Sequence, residues 1–207
     1  GKQGVVNIER EAELSGSTHD KGVLILSGYL GRTFAQQHPL SLSISITFEQ
    51  SYYGIDGDSA SSTELYAIIS SLADMPIKQG IAVTGSVNQK GKIQAIGDVN
   101  QKVEGFYEVC KEKGITGQQG VIIPAANIQN LMLKKEVVDA VKKKKFHIYK
   151  VSMVEEGIEI LTGVPAGKPN KKGMYPEGTV YGAVQRKLKE YIEQAEKLKK
   201  AFEDETD

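Results

Sequence analysis

The chain has no tryptophan, one cysteine and three histidines in 207 residues, and each scarcity excludes something. A lone Cys110 rules out an internal disulfide framework and fits a reducing compartment. His19, His38 and His147 stand in contexts that suggest no common site, and Cys110 falls on a helical apolar stripe, so neither a histidine-based triad nor a cysteine nucleophile is expected. No H-E-x-x-H or paired-cysteine spacing occurs, so no metal site is expected. Excess charge of either sign is missing too. The 26 Lys+Arg balance 26 Asp+Glu, which argues against a general binder of nucleic acid or membrane surfaces, and Lys142 to Lys145 reads as a solvated helix end. No apolar stretch approaches the roughly 18 residues of a membrane span, and Val23-Leu24-Ile25-Leu26 is soon interrupted by Ser27 and Gly28. There is no signal peptide pattern and no G-x-x-x-x-G-K-[ST] phosphate loop. Cytoplasm is the expected location. Opening on Gly1 rather than methionine suggests an excised or processed chain, whose energy-coupling machinery would lie elsewhere.

What is present is ordinary globular composition: 40% hydrophobic and 25% charged residues, enough for one sizeable core. Short β-prone runs at Val5–Arg10 and Gly22–Gly28, separated by the turn-rich Ser15–Asp20, predict a hairpin or meander. A short helix is expected over Gly31–Gln37, ending before Pro39. Leu40–Phe48 alternates apolar and small polar residues and predicts a strand. Leu65, Ile68, Ile69 and Leu72 fall at helical spacing after Gly57. Ile81–Val87 and Ile93–Ile96 predict a hairpin, and Val99, Val103, Phe106 and Cys110 mark a helix closing at Gly114. Gly120–Pro124 reads as a buried strand, Ile128–Leu133 and Glu136–Lys143 as helices, and Phe146–Val151 as the last strand. The expectation is a mixed α/β domain over residues 1–165, with antiparallel strands in its first half. Residues 166–207 would be a linker and a C-terminal amphipathic helix, packed on the domain, on a neighbouring subunit or on nothing ordered.

Two segments carry chemistry: Gly57-Asp58-Ser59-Ala60-Ser61, and Gly97-Asp98-Val99-Asn100-Gln101-Lys102. A serine hydroxyl is a weak nucleophile at neutral pH, and a neutral lysine amine in a dry pocket can remove its proton. The bland reading makes Ser59 a helix N-cap. The functional one uses the free amides of a helix entrance for an oxyanion, with Gly57 allowing close approach. Ser61 and Ser62 lie inside the helix and compete less well. Lys102, in the first turn after Asp98, is either a solvated charge or a base whose cation is disfavoured by burial and by the helix dipole. A close carboxylate from Asp58 or Asp98 would keep it charged.

These segments resemble the proteolytic domain of the Lon protease family, particularly its archaeal-type B branch, from about Ser41 to Val164. The motif Glu-Gly-Asp-Ser-Ala-Ser of that branch appears as Asp56-Gly57-Asp58-Ser59-Ala60-Ser61, with Asp56 in place of glutamate. Thr84-Gly85-Ser86-Val87, Gly91-Lys92-Ile93 and Ile96-Gly97 match the segment leading to the lysine, Lys102, with Asp98 where a second glycine is common. Val121 to Asn127 resembles the following strand and loop.

The resemblance implies a mixed α/β fold of the Lon proteolytic type, related to domain 2 of ribosomal protein S5, and a serine endopeptidase acting on unfolded polypeptides. In it Ser59 is the acyl nucleophile and Lys102 the general base. Thr84 would help orient the lysine, Asp58 would orient the loop or a neighbouring subunit, and Gly57 would support the turn. Tyr52 and Tyr53 would line substrate or simply pack. The family also implies a homo-hexameric ring and an ATP-driven AAA+ module on the parent chain, with no cofactor in this one. A catalytically silent Lon-like oligomerisation or binding platform is the alternative, and a nucleotide-binding domain on a related fold ranks last.

Overall fold

The computed structural model describes residues 4–36, 40 and 42–204. The chain starts with strand β1 (Gly4–Asn7), a single helical turn α1 (Ile8–Glu11) and the long helix α2 (Ser17–Phe34). Helix α2 corrects two expectations. The stretch Gly22–Gly28 is helical, not a strand, and the turn-rich Ser15–Asp20 leads into the helix start. Val23, Leu26, Leu30 and Phe34 are buried while Leu24 faces solvent, a three-to-four-residue rhythm that outweighs the β-prone composition of the run. The helix foreseen at Gly31–Gln37 is the end of α2, which stops at Phe34; Gln37, His38, Pro39 and Ser41 lie outside the described residues.

Strand β2 (Ser43–Ile46) is shorter than the alternation suggested and pairs with β1 in parallel, Val5 opposite Ile44, where a hairpin or meander was expected. Helix α3 (Ser61–Ala73) follows, then β3 (Ile81–Val83), the antiparallel pair β4 (Ser86–Val87) and β5 (Ile93–Gln94), and α4 (Val99–Lys113). Strand β6 (Gly120–Pro124) leads into a 3-10 helix at Ala125–Asn130, where a helix over Ile128–Leu133 was expected. Then come α5 (Lys135–Lys142), β7 (His147–Val151), α6 (Val154–Thr162), which the sequence reading did not anticipate, and α7 (Val180–Asp204).

Strands β3, β6 and β7 form a parallel sheet with β6 in the centre. All five residues of β6 are buried, as a strand covered on both faces requires. Val121 and Ile123 point into a cluster with Val103 and Cys110 of α4, Val137 of α5 and Phe146. Ile122 points the other way, into the larger core of α2, α3, α6 and α7. Val180, Tyr181, Val184 and Leu188 of α7 belong to that larger core, so the start of α7 packs on the domain, chiefly on α3. The two candidate segments flank this sheet: the Ser59 turn precedes α3, and Lys102 stands on α4.

Candidate active site

Ser59 sits in the turn just before α3, whose N-cap position is Ala60 without a side-chain cap, so the serine does no capping work. Gly57 begins the turn at φ +86°, a conformation that L side chains adopt only at a cost, while a Cβ there would meet open space. Its glycine answers a backbone requirement rather than crowding.

The turn is stitched to the β3–β4 connection. Gly85 N–H donates to the Ser59 carbonyl at 2.8 Å, and Ser62 N–H returns a bond to the Gly85 carbonyl at 3.1 Å. The Ser61 hydroxyl accepts from Val87 N–H at 3.1 Å. Asp58 accepts the Ser86 hydroxyl at 2.7 Å, and the Thr84 hydroxyl donates to the Ser59 carbonyl at 3.4 Å. Thr84 is thus tied to the serine's main chain rather than to the lysine, and Asp58 to Ser86.

Lys102 approaches from the first turn of α4. Asp98 precedes that helix in the left-handed region at φ 56°, where glycine is the least strained residue, and its carbonyl accepts Lys102 N–H at 3.0 Å. The Lys102 Nζ donates to the Ser59 Oγ at 2.8 Å. Forty-three positions apart in sequence, the two functional groups meet. The pocket is not dry, however. Lys102 is exposed in this chain, contrary to the burial expected of a base. A cavity of about 380 Å3 elsewhere, lined by Phe34, Leu40, Tyr175, Arg186 and Leu188, contains neither residue.

A second polar group, absent from the sequence reading, lies behind the turn. His19, only 2% exposed, shares a 2.7 Å bond between its Nε2 and Glu64 Oε1. Its Nδ1 lies 3.4 Å from Asn7 Nδ2, and its ring meets Phe48 edge-on. Burial pushes the Glu64 carboxyl above its usual range, and the His19 bond opposes that rise. Asp56 accepts His19 main-chain N–H at 3.2 Å, and the N–H groups of Gly57, His19 and Thr18 hold its carboxyl below the usual range. The sequence offered no signal for this pair, since His19 falls in a stretch that reads as a turn and nothing pairs residues 45 positions apart.

Of the other candidates, His38 lies outside the described residues. His147 Nε2 bonds the Gly117 carbonyl at 2.8 Å, and Cys110 is buried with its thiol pushed up by desolvation. Tyr52 and Tyr53 are 78% and 89% exposed and do not pack in the core. Among the described residues no group of three or more His, Cys, Asp or Glu side chains could hold a metal ion, and no helix is long and apolar enough to cross a membrane.

A family model described as the Lon protease (S16) C-terminal proteolytic domain matches residues 35–163. The chain is 48% identical over 155 residues to a protein of Escherichia coli (strain K12) named "Putative Lon protease homolog", covering 75% of this chain and 26% of that protein. It is 41% identical over 184 residues to a protein of the same name from Haemophilus influenzae, covering 89% and 31%. An archaeal Lon protease of Pyrococcus abyssi is 30% identical over 176 residues, covering 77% and 16%. The chain therefore spans about a quarter to a third of the length of the two bacterial relatives. The match over the sheet, the serine turn and the lysine helix places the chain in the Lon protease family, as a member of its C-terminal proteolytic domain group.

Proposed function

We propose that this domain is a serine endopeptidase that cleaves unfolded polypeptide, with Ser59 as nucleophile and Lys102 as general base. The observation that carries the reading is the 2.8 Å contact between Lys102 Nζ and Ser59 Oγ. In the reacting state the uncharged amine takes the hydroxyl proton as Ser59 Oγ attacks the scissile carbonyl carbon. The tetrahedral oxyanion then collapses, the C–N bond breaks, and the Lys102 ammonium returns the proton to the leaving amine. Water attacks the resulting ester by the same route, releasing the acid and restoring the serine. Asp58, held by Ser86, leaves the amine to Ser59, and Thr84 and Gly85 fix the serine's main chain.

An exposed lysine is normally a solvated ammonium. The missing desolvation would come from a substrate strand laid over the site, and from neighbouring copies if the domain forms the hexameric ring of its family. ATP-driven unfolding, where it occurs, would be the work of a module outside these residues. The same exposure favours the second reading, a silent platform for assembly.

The test compares cleavage of an unstructured protein by the wild type, Ser59→Ala and Lys102→Ala, alongside native mass measurement. Loss of at least about a thousandfold in both variants with assembly intact supports the peptidase. A wild type that assembles but cleaves nothing supports the platform.

A further inference from the structure

The buried His19 has no part in the chemistry proposed above, yet it touches the nucleophile's segment twice. Its main-chain N–H donates to Asp56, three residues before Ser59, at 3.2 Å. Its ring Nε2 bonds Glu64, five residues after Ser59, at 2.7 Å. We propose that His19 is a positioning residue that clamps the chain on both sides of Ser59, with Asp56 and Glu64 as the two jaws. The inference rests on the peptidase reading for its effect on rate, but the clamp itself is a matter of geometry.

Four features make this more than a chance pair of bonds. The clamp is anchored: His19 stands in the first turn of the 18-residue α2, whose Leu26 and Leu30 are fully buried, so its main chain cannot drift. The approach is reinforced by Gly16 N–H to the Ile55 carbonyl and Ile55 N–H to the Leu14 carbonyl, both at 2.8 Å. The fit is close as well, for a Cβ on Gly16 would overlap the Asp56 carboxylate. Asp56 also answers a local need, since the N-cap position of α2 is Gly16, which offers no side-chain acceptor for the free N–H groups of the first turn. The carboxylate supplies that acceptor from the serine loop. Stitching to Gly85 and Ser86 holds the opposite side of the turn, so Ser59 is fixed between strand and helix.

The decisive variant is Asp56→Ala, which removes one jaw from an exposed position and should fold normally, with Asp56→Asn as the conservative rescue. Hydrogen exchange of amides 57–62 should rise about tenfold in Asp56→Ala and return most of the way in Asp56→Asn, with the melting midpoint little changed. With an unstructured protein as substrate, kcat should fall about ten- to a hundredfold with KM within about twofold, as misplacement of a nucleophile predicts. His19→Gln, which withdraws the ring from Glu64, should loosen the same amides, and adding Asp56→Ala should add less than the two effects multiplied. Wild-type exchange at 57–62 in Asp56→Ala, equal failure of Asp56→Asn, or exchange raised across the whole domain would overturn the clamp. A wild type without peptidase activity would defeat the reading of function, and the exchange measurements would still decide the clamp. A His19→Gln chain that fails to fold leaves that decision to the Asp56 pair.

Discussion

The Ser86 hydroxyl donates to Asp58 Oδ2 at 2.7 Å, turning the carboxylate beside the candidate nucleophile toward strand β4. The bond ties the residue next to Ser59 to the strand that follows the Thr84–Gly85 connection. Ser86→Ala is expected to free Asp58, loosen the turn that carries Ser59, and lower peptide cleavage by about two- to tenfold. Unchanged cleavage would mean that this bond does not help to hold the serine in place.

Asp56 provides a pH test of stability. Its carboxyl is held below the ordinary 3.8, first by Gly57 N–H and then by His19 N–H. A depressed folded value means that the unfolded chain binds more protons, so the contribution is fully present above 3.8 and is lost as pH falls through the lower folded value. The stability gap between wild type and Asp56→Asn, small because the carboxylate is exposed, should therefore be present at neutral pH and shrink in that acid window, as denaturant titrations at several pH values would read.

Gly57→Ala should cost about 1–2 kcal/mol because of its positive φ alone, since the added methyl meets nothing. Denaturant midpoints would show the loss at unchanged m. A larger loss would point to a contact made only in an assembled form.

Helix α7 divides in two. Its start, through Leu188, is built into the core, whereas Leu198 is 61% exposed. Ending the chain after Gln194 should alter stability by no more than about 0.5 kcal/mol, whereas Leu65→Ala, in the core beneath α7, should cost about 2–5 kcal/mol. Thermal melts of the two variants would distinguish the docked part of the helix from the free part.

Elements with a clean local pattern were readable in advance. Strand β6 was bracketed at Gly120–Pro124 because a continuous apolar run ends in proline, and α4 because its stripe ends at Gly114. Helix α2 was missed because Val23 to Leu26 is β-prone residue by residue, and only the spacing out to Phe34 reveals the buried face. The parallel pairing of β1 with β2 is a non-local event with no signature in either strand. Around the candidate site, motifs single out Ser59 and Lys102, but the Ser86–Asp58 and His19–Glu64 bonds join segments that only the fold brings together. Whether Lys102 is solvated or covered stayed open for a similar reason: a helix position can predict direction, but not what covers the side chain.

That wet lysine has a consequence for restraint. On the proposed chemistry, the amine beside the Ser59 hydroxyl lies open to solvent until something covers it. Arrival of an extended chain would strip that solvent away, so the substrate would help to arm the machinery that cuts it, and passing folded proteins would meet an idle blade.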